Sequence, residues 1–220
     1  MMPPGRLIVI EGPDGVGRTS LIRHLRRALE SEGRTVTSVR LRGSAGMRGP
    51  LRDLQRRGDI AERALFLLYV ADLALLAREE IAPALAAGRI VLADRYTLTP
   101  VVRAEARGID GAWAADVLAF LPEPDLTLVL EADARVRLGR MLTRRRFLTP
   151  RESGLGATFR RDAQAMLMRY QRKLDLLFHT RVDDLRVKSV DAAKAGPEVL
   201  EAALEAVRGA VAKPWGGGAA

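Results

Sequence analysis

The chain has 220 residues, no cysteine, two histidines and a formal net charge of +9. The length predicts one sizeable core, and the lack of cysteine excludes disulfides and cysteine-ligated metals. The positive charge suits a protein that handles phosphates, and by itself it also fits nonspecific nucleic-acid binding.

Two sequence features bear on location and partners. Residues 1–4 lack the basic and apolar regions of a secretory signal, and no apolar run approaches membrane-spanning length without charges. We therefore expect a cytoplasmic protein with no membrane partner. The basic residues are spread along predicted helices without interleaved aromatics, so we expect no specific nucleic-acid partner.

Apolar strand-like runs alternate with helical patterns along the chain. Strands are predicted over Leu7–Ile10, Thr35–Val39, Arg89–Ala93, Leu126–Leu130 and Leu185–Val190. Helices are predicted over Arg18–Ser31, Ile60–Ala87, Val101–Leu121, Ala134–Arg145, Phe159–Thr180 and Pro197–Val211. Because short apolar strands separated by helices are typical of a buried parallel sheet, we predict a three-layer α/β/α fold. Its five-stranded parallel sheet would be covered by helices on both faces.

The predicted helix over residues 60–87 is apolar nearly all round, which indicates a central rather than a surface helix. No linker interrupts the chain before its glycine-rich end. We therefore predict a single domain over residues 1–213 and a disordered tail over residues 214–220.

The first strand leads into a glycine-rich turn. The spacing Gly12…Gly17-Arg18-Thr19 is that of the P-loop G-x-x-x-x-G-K-[ST], with arginine where lysine is expected. Glycines let backbone N–H groups approach phosphates closely, and a helix amino terminus favours anions. The predicted phosphate-binding residues are Gly12, Pro13, Asp14, Gly15, Val16, Gly17, Arg18, Thr19 and Ser20. The alternative is an ordinary strand–turn–helix.

Arg18 is the unusual position of this loop. A cation there can contact the β- and γ-phosphates of ATP, which makes Arg18 a candidate catalytic residue. Its planar fork is not a conservative replacement for a compact ammonium. The hydroxyl of Thr19 is the first candidate ligand for Mg²⁺.

A second polar cluster, Asp94-Arg95-Tyr96, follows the third predicted strand. In open α/β sheets, ligands bind at the carboxyl ends of the strands, where the P-loop also lies. Asp94 is therefore predicted to hold Mg²⁺ or its waters together with Thr19, and Arg95 to clamp an acceptor phosphate. The alternative is a surface ion pair at a strand end.

The run Arg144-Arg145-Arg146 opens a segment that contains Pro150 and Gly154. Phosphoryl transfer gains from positive charge brought over the phosphates when an active site closes. We predict a lid over about residues 144–157, with Arg144 and Arg146 as catalytic arginines. The alternative is a solvated basic helix end.

From about residue 6 to 207 the sequence resembles the thymidylate kinase family of nucleoside monophosphate kinases. The resemblance is carried by the P-loop with an internal aspartate, by Arg40 after the second strand, and by segments in family order. Those segments are Leu67–Asp72, Ile81–Gly88 and Asp94-Arg95-Tyr96. The resemblance implies a P-loop NTPase fold, ATP and Mg²⁺ as cofactors, a nucleoside monophosphate, by default dTMP, as acceptor, and a homodimer.

The resemblance also implies roles for individual residues. Arg40 and Arg95 match the arginines that hold the acceptor monophosphate, and Asp14 matches the P-loop carboxylate beside the acceptor sugar and phosphates. We therefore count Asp14 and Arg95 among the candidate catalytic residues. Tyr69 matches the aromatic that stacks on the acceptor base, and Thr99 stands near that base. Ala192 lies in the segment that lines the adenine of ATP, so it joins the predicted ATP-binding residues.

Three acceptor-side positions depart from the family pattern. The arginine of the central helix is here Leu73, a tyrosine–glutamine pair is Arg103-Ala104, and the acid–proline after Arg40 is Leu41-Arg42. We hypothesise that Arg103 or Arg42 restores the charge missing at residue 73, and we count Arg103 among the acceptor-binding residues. Two alternatives stay open: a kinase-like nucleotide-binding protein without turnover, and a phosphotransferase for another acceptor.

Overall fold

A computed structural model of the chain describes residues 5–47, 49, 51, 53–54, 60–144, 163–180 and 186–212. The strands are β1 (Arg6–Glu11), β2 (Val36–Arg40), β3 (Ile90–Asp94), β4 (Leu126–Glu131) and β5 (Val187–Asp191). The helices are α1 (Arg18–Ser31), α2 (Glu62–Leu76), a π-helical turn (Ala77–Ile81), α3 (Ala82–Ala86), α4 (Leu98–Ala106), α5 (Gly111–Leu118), α6 (Ala134–Arg144), α7 (Ala163–His179) and α8 (Gly196–Ala212).

Within the described ranges, five strands form one sheet in the order β2-β3-β1-β4-β5. Each neighbouring pair is parallel, so all the strands end at the same edge. Asp94 at the end of β3 is in register with Ile10 on one side and with Arg40 on the other. The predicted α/β fold with a five-stranded parallel sheet is confirmed, and the register brings the P-loop, Asp94 and Arg40 to one edge.

Each face of the sheet is covered by its own helices. The side chains of Leu7 and Val9 belong to a core shared with α2, the π-helical turn, α3, α4 and α5. Ile8 and Ile10 point the other way, into a core shared with α1 and α8. Alternate residues of a strand point to opposite faces, so a strand buried on both faces must be apolar throughout. This explains the uninterrupted apolar run before the P-loop.

The prediction of one helix over Val101–Leu121 is wrong, because the structure has α4 and α5 there. Gly108 adopts φ 86°, a left-handed conformation that ends α4. The carboxylate of Asp110 then accepts hydrogen bonds from the backbone N–H groups of Ala112 and Trp113 and caps α5. A glycine stop followed by an aspartate cap therefore splits the predicted helix.

The helix predicted over residues 60–87 is nearly continuous, but it is not buried all round. Leu65, Tyr69 and Leu73 face the sheet and are buried, whereas Leu67 is 48% exposed on the opposite side. The expectation of a central helix therefore holds for one face only, because α2 packs on a single side of the sheet. The sequence pattern overstated burial since apolar residues also cover the outer face.

Across the ranges that the structure describes, no helix combines the length and apolarity needed to cross a membrane. The tail over residues 214–220 lies outside the described residues. The same is true of the predicted lid over about residues 144–157, apart from the backbone of Arg144 at the end of α6.

Candidate active site

The turn between β1 and α1 has the backbone shape that its glycines predict. Gly12 adopts φ 126°, and a Cβ atom there would lie 2.5 Å from the carbonyl oxygen of Leu130. Gly17 adopts φ 110° directly before the first turn of α1. The loop therefore packs closely against the end of β4 and presents the amino terminus of a 14-residue helix, an arrangement that favours a bound anion.

The side chain of Arg18 lies along the inside of this loop. Its Nη1 atom donates to the carbonyl oxygens of Gly12, over 2.6 Å, and of Pro13. Its Nε atom donates to Asp94 Oδ1 over 3.0 Å, and Nη2 is 3.7 Å from Asp14 Oδ1. Arg18 thus joins the P-loop to the end of β3, and in this conformation its donors are directed at protein oxygens.

Thr19 and Asp94, the two predicted metal ligands, are joined by a hydrogen bond. Thr19 Oγ1 donates to Asp94 Oδ2 over 2.9 Å. Burial tends to raise the pKa of Asp94, but the charges of Arg18 and Arg95 and the hydrogen bonds from Arg18 and Thr19 lower it below its ordinary value. An ionised carboxylate beside a hydroxyl fits Mg²⁺, which is commonly held by one or two protein oxygens together with substrate phosphates and water. Among the described residues there is no group of three or more acidic or histidine side chains that could hold a metal.

The carboxylate of Asp14 is held by two buried arginines. Arg95 Nη2 donates to Asp14 Oδ1 over 2.6 Å, and Arg103 Nη2 donates to Asp14 Oδ2 over 2.5 Å. The two arginines lie 81 and 89 residues after Asp14 in the sequence, so the fold brings distant segments together here. Three predicted site residues therefore form one cluster, in which one carboxylate faces two guanidinium groups and the net charge is positive.

Arg95 is fixed by its backbone as well as by Asp14. It adopts φ 71°, and its N–H donates to the carbonyl oxygen of Ile10 over 3.0 Å. Its Nη1 atom donates to Thr99 Oγ1 over 2.8 Å. Burial, followed by the nearby charge of Arg18, lowers the pKa of Arg95 to about 9, while Asp14 opposes the shift. An anion arriving beside Arg95 would stabilise its charged form.

Glu11, at the end of β1, organises the turn after β3. Its side chain is fully buried, and Oε1 accepts hydrogen bonds from the N–H groups of Tyr96 and Thr99. Thr99 Oγ1 donates to the other oxygen, Oε2. A carboxylate that accepts several hydrogen bonds can be buried at acceptable cost. Glu11 therefore fixes Thr99 and with it the start of α4. Arg103 lies further along the same helix.

Arg103 carries unsatisfied polar atoms. The residue is 3% exposed, and its Nε and Nη1 atoms are buried without a hydrogen-bond partner. Burial disfavours its charge, but Asp14 and the phenols of Tyr170 and Tyr69 raise its pKa above the ordinary value. An unpaired buried donor costs about 1–3 kcal/mol. Arg103 is therefore a charged group beside Asp14, and its Nε and Nη1 donors are available to a further acceptor.

The loop after β2 is held by an acid from α2. Asp72 is fully buried and accepts hydrogen bonds from the backbone N–H groups of Arg42 and Ser44, and from Ser44 Oγ over 2.6 Å. Arg42 is in the left-handed region at φ 67°, which the bond to Asp72 supports. Arg40, the last residue of β2, is exposed at the carboxyl edge of the sheet. The acid thus sets the path of the chain directly after Arg40.

The structure does not place Tyr69 in an open cleft. Tyr69 is buried between α2 and α4, and the space that it shares with Arg103 is about 10 Å³. Such a volume holds one water molecule and no nucleobase. Leu73, one helical turn later, is buried in the core. Tyr69, the residue predicted to stack on an acceptor base, is therefore packed against Arg103 in this conformation.

A larger cavity of about 700 Å³ lies on the other side of the P-loop. Its lining includes Gly17, Ser20, Arg140, Ala192 and Lys194. Arg140 crosses it, donating from Nη1 to the carbonyl oxygen of Val16 over 3.3 Å and from Nη2 to that of Ala192 over 3.0 Å. The predicted phosphate-binding loop and Ala192 therefore border the same space, which is large enough for a nucleotide.

Four residues that sequence reasoning did not assign to the site prove to organise it. They are Glu11, Asp72, Arg137 and Arg140. The signal that could have found Glu11 and Asp72 is a lone carboxylate inside an otherwise apolar strand or helix, because such a group must be paired when buried. The arginines of α6 carried no such signal, since α6 is rich in arginine. The side chains of Arg144 and Arg146 lie outside the described residues.

The chain is similar to known proteins over most of its length. A family model described as "Thymidylate kinase" matches residues 10–202. A thymidylate kinase of Leifsonia xyli subsp. xyli is 38% identical over 184 residues, covering 78% of this chain and 86% of that protein. A thymidylate kinase of Gluconobacter oxydans is 34% identical over 224 residues, covering 93% and 94%. A probable thymidylate kinase of Archaeoglobus fulgidus is 29% identical over 196 residues, covering 89% and 91%.

Proposed function

The chain belongs to the thymidylate kinase family and is a nucleoside monophosphate kinase, and from that premise we propose that it transfers the γ-phosphoryl group of ATP to dTMP. In this reaction a phosphate oxygen of the acceptor attacks the γ-phosphorus, and the bond to ADP breaks. Positioning and charge stabilisation suffice, without a covalent enzyme intermediate.

One observation carries the proposal: the P-loop carboxylate Asp14 is bound by Arg95 over 2.6 Å and by Arg103 over 2.5 Å. A P-loop alone indicates only a bound phosphate chain. Two guanidinium groups beside it supply the charge that a second phosphate, on an acceptor, requires. We propose that Arg95, Arg103 and Arg40 hold the acceptor phosphate, and that Asp14 keeps the two buried arginines in place.

We propose that the cavity beside the P-loop takes ATP. The supporting observations are its volume of about 700 Å³ and its shared border with Gly17, Ser20 and Ala192. Arg18 would contact the phosphates after leaving the carbonyl oxygens that it now binds, and Thr19 and Asp94 would hold Mg²⁺. When bound, the metal ion neutralises charge on the phosphates. Arg144 and Arg146 remain proposed catalytic arginines of a lid.

The experiment is an acceptor panel. Purified protein is incubated with ATP, Mg²⁺ and each of dTMP, dUMP, dCMP, dGMP and dAMP, and diphosphate formation is measured. We expect dTMP to give the highest kcat/KM. Thr19→Ala is the matched negative control, because it removes one hydroxyl of the proposed metal site. No turnover of any monophosphate above that control would refute the kinase assignment.

A second candidate function is favoured by Arg18. Its guanidinium donates to Gly12, Pro13 and Asp94, oxygens of the loop that would receive ATP. A protein whose P-loop cation stays there would bind nucleotide without turnover. ATP would then raise the free energy of unfolding by mass action, by about 2.7 kcal/mol at 100 times Kd. The melting temperature would rise with no diphosphate formed. Turnover of an acceptor other than dTMP would instead indicate a related phosphotransferase.

We also propose that the protein forms a homodimer through the outer face of α2. Leu67 is 48% exposed there, on a helix whose other face is core. Covering the exposed half of this side chain would contribute about 1 kcal/mol. Light scattering should give the mass of a dimer for the wild type and of a monomer for Leu67→Glu. Leu176→Glu, at an exposed position of α7, should remain dimeric.

A further inference from the structure

A buried arginine of helix α6 connects the P-loop to helix α7. Arg137 is 0% exposed. Its Nε atom donates to Ala132 O over 3.0 Å, and Nη1 donates to Asp14 O over 3.2 Å. We propose that Arg137 is a positioning residue, which holds the Asp14–Gly15 segment of the P-loop in place relative to α7. The proposal rests on the proposed kinase function, because it assigns Arg137 an effect on catalysis exerted through Asp14.

The partners of Arg137 on α7 complete the connection. Nη1 also donates to Gln171 Oε1 over 2.7 Å, and Nη2 donates to Asp175 Oδ1 over 2.6 Å. The side chain of Asp175 is 33% exposed, so the ion pair is partly open to solvent on that side. The guanidinium thus binds the end of β4, the P-loop and α7 at once, with one fork spanning three elements.

Joining two helices does not require such a group. A buried ion pair can commonly be replaced by packed apolar residues without loss of stability, since desolvation of the charges is expensive. An apolar side chain at residue 137 could pack between α6 and α7, but it could not bind the carbonyl oxygen of Asp14. Only a hydrogen-bond donor at residue 137 can therefore make the contact with the P-loop.

A second, independent contact ties the same segment to residue 137. Gly15 adopts φ 80°, and a Cβ atom there would lie 2.6 Å from the carbonyl oxygen of Arg137 and 2.9 Å from Met141 Cγ. The backbone of Gly15 therefore lies directly against α6. Residue 137 thus meets two consecutive residues of the loop: its side chain binds Asp14, and its backbone lies against Gly15.

The consequence for the site follows from what Asp14 carries. Its carboxylate holds Arg95 and Arg103, whereas its carbonyl oxygen is held by Arg137. A shift of this residue would displace both guanidinium groups and the loop amides together. A misplacement of about 1 Å can cost about a hundredfold in rate. Arg137 therefore sets, through Asp14, the geometry of the groups that would contact both phosphates.

The test compares Arg137→Met with Arg172→Met. Methionine keeps much of the apolar stem of Arg137 but removes every donor, while Arg172 is an exposed arginine on α7 that makes a matched control. We expect Arg137→Met to lower kcat about 10- to 100-fold at a temperature where it is folded. Its amides over residues 12–19 should exchange hydrogen faster than in the wild type. Arg172→Met should match the wild type in both measurements.

A double-mutant cycle separates positioning from structural support. If Arg137 acts through Asp14, then Arg137→Met in an Asp14→Asn background should cost much less activity than in the wild type. If the melting temperature of Arg137→Met falls while kcat, both KM values and P-loop exchange stay within twofold of the wild type, Arg137 is a structural ion pair only and the proposal is wrong.

Two milder variants keep the test decisive where Arg137→Met does not fold. Gln171→Leu and Asp175→Asn each weaken one partner of Arg137, and each should accelerate P-loop exchange in the same direction. Unchanged exchange in both would overturn the proposal. The exchange measurement needs no turnover, so an inactive wild-type protein would refute the kinase function while leaving the role of Arg137 to be decided by exchange alone.

Discussion

Arg18 and Asp94 are joined across the candidate active site by a hydrogen bond of 3.0 Å from the guanidinium Nε to Oδ1. The same guanidinium binds the carbonyl oxygens of Gly12 and Pro13, and the same carboxylate accepts from Thr19. The residue that departs from the P-loop pattern is therefore also the residue that binds the proposed metal-holding carboxylate. Substrate binding must compete with this bond.

Replacing Arg18 by lysine should separate the two tasks of this residue. An ammonium cannot hold Asp94 and both carbonyl oxygens with one planar fork, so Arg18→Lys should lower stability by about 1–2 kcal/mol. Because ATP would no longer compete with the bonds from Arg18 to Asp94 and the loop, KM for ATP should fall about 3- to 10-fold. Urea unfolding and ATP-dependent kinetics measure the two effects, with Arg23→Lys on the exposed side of α1 as control. A rise in KM would show that the fork itself binds ATP.

Removing the charge of Asp94 should have an effect that depends on pH. Because the pKa of Asp94 is lower in the folded protein than its ordinary 3.8, the ionised form stabilises the fold. That contribution is fully present above pH 3.8 and is lost as the pH falls through the folded value. Asp94→Asn should therefore be less stable than the wild type at pH 6, and the difference should narrow below pH 4. Urea midpoints at both pH values test this, and a constant difference would contradict it.

Truncating Asp72 should disturb the loop that directly follows Arg40. Asp72→Ala leaves the N–H groups of Arg42 and Ser44 without their acceptor, at a cost of about 2–4 kcal/mol. The loop should then become mobile, and KM for the acceptor should rise more than KM for ATP. Glu79→Ala, at an exposed position of the following π-helical turn, is the control and should leave both KM values unchanged. Equal increases in both KM values would contradict a specific role of this loop in acceptor binding.

Replacing Arg103 by methionine tests whether its buried charge serves the acceptor. The variant removes two unsatisfied buried donors, so stability should change little despite the lost bond to Asp14. KM for the acceptor should rise about tenfold, equivalent to about 1.4 kcal/mol, while KM for ATP stays constant. Arg78→Met, at an exposed position of the π-helical turn, is the control. An unchanged acceptor KM would show that Arg103 only supports Asp14.

The sequence by itself determined the fold class, the P-loop and the edge of the sheet where the site lies. Local chemistry was sufficient for this: apolar strands buried on both faces, glycines at positive φ, and polar residues at strand ends. The sequence also identified Arg103 as a departure from the family pattern, and as a candidate to replace the charge missing at residue 73. It failed at α4 and α5, where a glycine stop and an aspartate cap interrupt an apolar pattern that looked continuous.

Only the tertiary structure decided how the charges are paired. Asp14, Arg95 and Arg103 come from three separate stretches of chain, and no local pattern states that one carboxylate holds both arginines. Likewise Arg137 is one of many arginines in its region, and its importance follows from complete burial beside Asp14 O. Charge pairing depends on distances between remote segments and on exclusion of water, quantities that exist only once the chain has packed.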